Sequence, residues 1–141
     1  MIEKIYSKIN PNKLLHMVYR IDKNATDSRL NLISEENFLQ CSVLNLKKNQ
    51  TFKPHKHIEK ERNYINQIAQ ESWLVIKGRV KCIYYDIDDN ILSESILNPG
   101  DASFTLYGGH NYFVLEDDTL VYEYKTGPYE GLEMDKQFIG E

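Results

Sequence analysis

Short runs of β-branched and aromatic residues, each ended by a turn signal, follow one another along most of this chain. The turn signals between them include Lys77-Gly78, Asn98-Pro99-Gly100-Asp101 and Gly108-Gly109. β-Branched and aromatic side chains favour strands, whereas glycine, proline, asparagine and aspartate favour tight turns. Short strands with close turns predict an all-β antiparallel sandwich or barrel. The seven predicted strands are 38–46, 73–77, 79–87, 91–97, 102–107, 112–115 and 120–125.

The region before residue 38 has a different texture. Residues 10–37 contain many turn formers and only brief apolar stretches, such as residues 14–19. A chain of 141 residues is long enough to form one domain with its own core. We therefore expect residues 1–37 to be an N-terminal extension of strands and turns that packs on a β-barrel formed by residues 38–141.

The charge balance bears on the class of partner. The chain has 17 basic and 21 acidic residues and a net charge of −4, without the basic excess expected of a protein that binds nucleic acid. No apolar run approaches the roughly eighteen residues that span a bilayer. The first residues also lack the apolar stretch of a signal peptide. We expect a cytoplasmic protein that binds neither nucleic acid nor membranes.

The two cysteines, Cys41 and Cys82, lie far apart in the sequence and have no CxxC partner. Both are found inside apolar runs, which is typical of buried, reduced thiols. The histidines are more informative, because three of the four occur at His55, His57 and His110. The fourth, His16, lies in a polar N-terminal stretch, and we expect it to be an ordinary surface histidine.

His55 and His57 form an HxH pair. In an extended strand alternate side chains point to the same face, so both imidazoles can bind one metal ion. Residues 58–70 follow, with weak helical spacing and no alternation, which predicts a loop or a single helical turn. Polar side chains in this loop, including Tyr64 and Gln67, are candidates for substrate binding, and a solvated connection is the alternative.

Two sequence patterns resemble the motifs of the cupins, a family of small double-stranded β-barrels. His55 and His57 match the HxH of the first motif, and Glu71 is followed after six residues by Gly78. The chain departs from the motif by having Gln50 in place of the first glycine, and thirteen residues between His57 and Glu71. An enlarged loop accounts for the longer spacing.

The second cupin motif is similar to the stretch from Gly100 to His110. Leu106 stands where the family has proline, and the expected asparagine is missing. A finer likeness to small single-domain cupin metalloproteins of bacterial surface-polysaccharide and sugar-modifying pathways is found in residues 67–85 and in the run LYGGHNY. The resemblance implies a cupin (jelly-roll) β-barrel and a role in carbohydrate metabolism.

The resemblance also implies that His55, His57, Glu71 and His110 bind one divalent metal ion. Imidazole nitrogens with one carboxylate oxygen suit Fe, Mn, Co, Ni or Zn and not calcium. An open coordination position implies an enzyme that acts on a small polar or carbohydrate-like molecule. Its chemistry would be that of an isomerase or epimerase, or that of an oxygenase.

Several alternatives stay open at this point. Gln67, Glu59 or Glu61 could complete the metal site instead of Glu71. A non-catalytic module that binds or senses a small ligand is the second functional hypothesis, and an assembly protein with structural histidines is the third. Small cupins commonly pair through their sheets, so we expect a homodimer.

Further site residues are expected near the metal. Glu123 lies in a predicted strand, where an inward carboxylate would act as a catalytic base or orient a ligand histidine. Tyr112 is a candidate for substrate binding through its hydroxyl group. Trp73 is expected to anchor the core.

Overall fold

The computed structural model describes residues 1–22, 24, 26–34, 37–45, 48–51, 53–54, 68–126 and 137–140. This part of the chain contains ten β-strands and no helix. The strands are β1 Ile2–Tyr6, β2 Leu14–Tyr19, β3 Arg29–Asn31, β4 Ser42–Leu44, β5 Glu71–Lys77, β6 Val80–Tyr85, β7 Ile91–Leu97, β8 Ala102–Thr105, β9 Gly109–Val114 and β10 Leu120–Lys125. The all-β prediction is therefore confirmed for the described residues.

The predicted strands differ most from the observed ones at residues 38–46. Among the described residues of that run, 38–45, only Ser42–Leu44 form a strand. Before it, the backbone N–H of Leu39 donates to the side-chain oxygen of Gln70, and the Gln40 amide donates to the backbone oxygens of Ser34 and Asn37. The Leu39 N–H thus bonds a side chain and not a neighbouring strand.

The strands form three antiparallel sheets. A five-stranded sheet has the order β1-β2-β8-β5-β10, a three-stranded sheet has the order β7-β6-β9, and β3 pairs with β4. These described strands are not closed into one barrel. Two strands of the larger sheet, β1 and β2, precede residue 38. The N-terminal region thus takes part in the sheet that contains Glu71.

The inner core lies between the five-stranded and the three-stranded sheets. Val18 and Val75 of the larger sheet pack with three fully buried residues of β6, namely Val80, Cys82 and Tyr84. Burial of this apolar surface is the main force that holds the two sheets together. The space between them is also where the candidate site is found.

A second core covers the outer face of β2 and β8. Met17 and Phe104 pack there with Leu32, Ile33 and Leu39. Because both faces of β2 and β8 are covered, nearly every residue of these two strands is buried. Both are interior strands of the described five-stranded sheet, with β8 at its centre.

Gly78 connects β5 to β6 in a conformation that glycine favours. Its φ angle is +79°, and a Cβ atom there would overlap Thr119. The predicted turn at Lys77-Gly78 is thus confirmed, and a side chain at residue 78 would be strained. None of the described residues belongs to a helix long and apolar enough to cross a membrane.

Candidate active site

Strand register places the site residues on facing surfaces of the two sheets. Directly paired residues of antiparallel strands point to the same face. Glu71 pairs with Thr105 and Lys125, so these three side chains share the inner face of the five-stranded sheet. Trp73, two residues after Glu71, shares it as well because alternate residues of a strand point the same way.

His110 approaches from the other sheet. It pairs with Tyr84, which is fully buried between the sheets, so His110 also points inward. Its Nε2 lies 3.2 Å from Oε1 of Glu71, and both side chains are mostly buried. Two residues far apart in sequence are thus in contact across the space between the sheets.

The contact lies in a cavity of about 620 Å³. Four of the site residues predicted from the sequence line the cavity, namely Glu71, His110, Tyr112 and Glu123. The other nominated residues, His55, His57, Tyr64 and Gln67, lie outside the described residues, as do Glu59 and Glu61. The remaining lining includes Ile68, Trp73, Thr105, Asn111, Lys125, Gln137, Phe138 and Ile139.

Glu71 and His110 have donor atoms that fit a transition metal. Two donor atoms that are each about 2.1 Å from one ion, at a right angle, lie about 3 Å apart. The observed separation of 3.2 Å is close to that value, and it is also the distance of an ordinary ion pair between the two side chains. The Nδ1 atom of His110 is buried and has no hydrogen-bond partner in the described part of the chain. A carboxylate oxygen and an imidazole nitrogen in this arrangement suit Fe, Mn, Co, Ni or Zn.

Glu71 and His110 supply only part of the predicted ligand set. No group of three or more His, Cys, Asp or Glu residues that could hold an ion occurs within the described ranges. His55 and His57 are outside these ranges, so the four-ligand site stays a prediction.

Glu123 is held at the cavity wall by Trp73. The indole Nε1–H of Trp73 donates to Oε2 of Glu123 over 2.9 Å, and the two residues are paired across β5 and β10. The carboxylate lines the cavity while the residue stays accessible to solvent. Trp73 therefore packs against the core, as expected, and also orients a candidate base.

Tyr112 contacts both Trp73 and His110 in the site. Its ring stacks on Trp73 with centroids 4.0 Å apart, and it lies 5.1 Å from the His110 ring. Its hydroxyl shares a hydrogen bond with that of Ser103. Burial raises the pKa of Tyr112, and nearby Cys82, Glu71 and Glu123 raise it further, against a lowering by the Ser103 bond. The phenol stays protonated at neutral pH and can donate a hydrogen bond.

His16 is not a surface histidine, contrary to expectation. It is fully buried, with Nε2 bonded to the Tyr85 carbonyl at 3.0 Å and Nδ1 to the Thr105 hydroxyl at 3.3 Å. Because a carbonyl only accepts, Nε2 bears the proton and Nδ1 accepts. Burial lowers the pKa of His16 to about 4, although the Tyr85 bond acts in the opposite direction. A neutral, fully bonded imidazole explains how this polar side chain is accommodated in the core.

Lys125 is a cavity residue that the sequence analysis missed. It lines the cavity, and it pairs directly with Glu71. Alternate residues of a strand point to the same face, so Lys125 shares a face with Glu123 in β10. This alternation is the sequence signal from which Lys125 could have been predicted. Recognising the signal required the strand register, which the sequence pattern alone leaves open.

Comparisons of this chain with protein-family models, with curated proteins and with solved structures found no match.

Proposed function

We propose that this chain is a cupin enzyme that binds one divalent transition metal through His55, His57, Glu71 and His110. The observation that supports it is the 3.2 Å approach of Glu71 and His110 from two different sheets, in a cavity of about 620 Å³. The cavity beside this contact has the size of a small-ligand site. The proposed substrate is a small polar or carbohydrate-like molecule.

The remaining cavity residues suit acid–base chemistry on such a substrate. The Glu123 carboxylate, oriented by Trp73, is the proposed base, and the protonated hydroxyl of Tyr112 is a proposed hydrogen-bond donor to substrate. Lys125 would favour an anionic group on the ligand. A bound ion would polarise a carbonyl or hydroxyl group for isomerase or epimerase chemistry, or, if it is iron, support oxygenase chemistry.

The test is elemental analysis of untagged protein purified without air. We expect about one Fe, Mn, Ni, Co or Zn ion per chain, and loss of most of it in the variant His55→Ala/His57→Ala. Glu3→Gln, which changes an exposed acid on β1, is the control and should retain the metal. Absence of metal from the parent protein, even after reconstitution with each of these ions, would refute the proposal.

A non-catalytic binding or sensor module is the second candidate. The stacked pair Trp73 and Tyr112, with Phe138 and Ile139 on the same cavity, offers apolar surface that can hold a ligand without metal. Under this alternative, ligand affinity would persist after treatment with a chelator, whereas the enzyme proposal requires its loss.

We also propose that the chain forms a homodimer. β10 is the last strand of the five-stranded sheet within the described part of the chain, and its outer face exposes Tyr122 and Tyr124, each about half accessible. Exposed aromatic residues on an edge strand are typical of an interface. Sedimentation equilibrium should give twice the chain mass, and the double variant Tyr122→Ser/Tyr124→Ser should shift it toward the monomer.

A further inference from the structure

The C-terminal residues Gln137–Ile139 lie against the cavity that contains Glu71 and His110. All three of these residues line it. They come well after β10, which ends at Lys125. The cavity wall is thus completed by a short segment outside the sheets.

Ile139 packs directly on Gly109, the residue that precedes His110. A Cβ atom built on Gly109 would overlap Cδ1 of Ile139 and would lie 3.2 Å from Cβ of Tyr85. The φ angle of Gly109 is outside the left-handed region, so the backbone does not require glycine there. An added Cβ atom would instead force the end of the Ile139 side chain to move.

The contact of this segment with the rest of the protein is limited. Phe138 is 53% exposed and Ile139 is 38% exposed. A segment with so few buried apolar groups has a low local stability and contributes little to the stability of the whole fold. Shortening the Ile139 side chain should therefore alter the cavity wall and leave the sheets intact.

We propose that Gln137–Ile139 form a wall of the ligand cavity and that Ile139 is a specificity-determining residue. By packing on Gly109, Ile139 limits the size of the molecule that reaches Glu71 and His110. The ligand class that fits has a polar end toward those two residues and an apolar group against Phe138 and Ile139. The ligand class rests on the proposed function, whereas the position of the wall does not.

Trp73 makes this inference testable, because it is the only tryptophan of the chain and lines the same cavity. Quenching of its fluorescence by acrylamide, and by the bulkier neutral quencher succinimide, measures access to the cavity. The full-length variants are Ile139→Ala, which shortens the wall, and Gly109→Ala, which displaces Ile139 from the other side. Ile76→Ala is the control, because Ile76 is similarly exposed, at 42%, and lies on the opposite face of β5.

We expect the quenching constant to rise at least about twofold in both wall variants, and more for succinimide than for acrylamide. The control should equal the parent protein. Urea unfolding of each variant detects any loss of fold. The two wall variants change the Gly109–Ile139 contact from its two sides, so each tests it independently. Equal quenching constants in all four folded proteins would overturn the inference. If quenching increases in the wall variants but the parent protein binds no metal, the proposed wall is supported and only the proposed function is refuted.

Discussion

The indole ring of Trp73 lies parallel to the phenol ring of Tyr112, with 4.0 Å between their centroids and 7° between their planes. Trp73 belongs to β5 of the five-stranded sheet and Tyr112 to β9 of the three-stranded sheet. The stack therefore joins the two sheets beside the Glu71–His110 contact. Each ring also makes one polar contact, to Glu123 and to Ser103 respectively.

A double-mutant cycle should show that this stack contributes to stability. We expect Trp73→Leu and Tyr112→Leu to be coupled by about 0.5–1.5 kcal/mol, the usual range for an aromatic pair beyond its burial. The measurement is the free energy of unfolding in urea. Tyr6, which is exposed on β1, provides the control, since Tyr6→Leu should be additive with Trp73→Leu. Additivity of the Trp73 and Tyr112 changes would contradict the prediction.

Glu71→Gln should weaken the thermal stabilisation that added metal gives. A ligand at 100 times its dissociation constant stabilises a protein by about 2.7 kcal/mol. Loss of a charged ligand should reduce affinity by more than about tenfold, so the shift in melting temperature at equal metal concentration becomes smaller. The check is a thermal melt with and without Zn²⁺ or Mn²⁺. Glu116→Gln, at an exposed acid, should behave like the parent protein. Equal shifts in all three proteins would contradict the role of Glu71.

His16 should make the protein less stable in mild acid. Its folded-state pKa is lowered from 6.5 to about 4, so between these values the unfolded chain binds a proton that the folded chain does not. Stability is full above pH 6.5 and decreases by up to about 3 kcal/mol as the pH falls toward 4. Urea unfolding between pH 7 and pH 5 measures the slope. His16→Gln should have a shallower slope than the parent, whatever its stability at pH 7, and an unchanged slope would contradict this.

Asp101→Ala should strongly destabilise the fold. Asp101 is 5% exposed, forms an ion pair with Arg20 at 2.9 Å and accepts hydrogen bonds from the backbone N–H groups of Ile21 and Asn98. Removing it deprives Arg20 of its counter-ion and the two backbone N–H groups of their acceptor, at a cost of about 3 kcal/mol. The exposed pair Lys81 and Glu94 is the comparison, because Glu94→Ala should cost less than about 1 kcal/mol. Similar unfolding midpoints for Asp101→Ala and Glu94→Ala would show that the bonds of Asp101 do not stabilise the fold in this way.

Cys82 should be unreactive in the native protein. Burial raises the pKa of its thiol to about 11, against a lowering by hydrogen bonds to Tyr84 and Ser103. Because the thiolate is the reactive species, Ellman's reagent at pH 8 should modify Cys82 only after unfolding. Burial also raises the pKa of the partly buried Cys41, which should react slowly but first. Mass mapping assigns each site, and rapid native labelling of Cys82 would contradict its burial.

Local pattern was sufficient to predict several strands. The bounds predicted for β7 and β10, residues 91–97 and 120–125, agree with the structure. Alternation and turn residues act over a few positions, so sequence alone reveals them. Pairing order is different, because β8 lies between β2 and β5 through contacts that span tens of residues. Nothing in a local pattern specifies such neighbours.

The candidate site, too, could be predicted from the sequence only in part. Its residues could be nominated from motif spacing, and Glu71 and His110 do lie together. Trp73 orients Glu123 because the strand register places both side chains on the same face of the sheet. A shift of one residue in that register would turn Glu123 to the opposite face. His16 was misjudged because its partners, Tyr85 and Thr105, are 69 and 89 residues away. The apolar run of residues 14–19 around His16 was the local signal of its burial, and the polar composition of the wider N-terminal region was misleading.

The central position of β8 has a consequence for the order of synthesis. During translation β2 and β5 emerge before β8, which must pair with both of them. Until residue 105 has left the ribosome, each of these strands has an open hydrogen-bonding edge, and Met17 and Leu74 lack their paired neighbours Phe104 and Ala102. Open edges of this kind promote aggregation, and distant strand pairing slows folding. A nascent chain that stalls before β8 is therefore the species for which a chaperone would matter most.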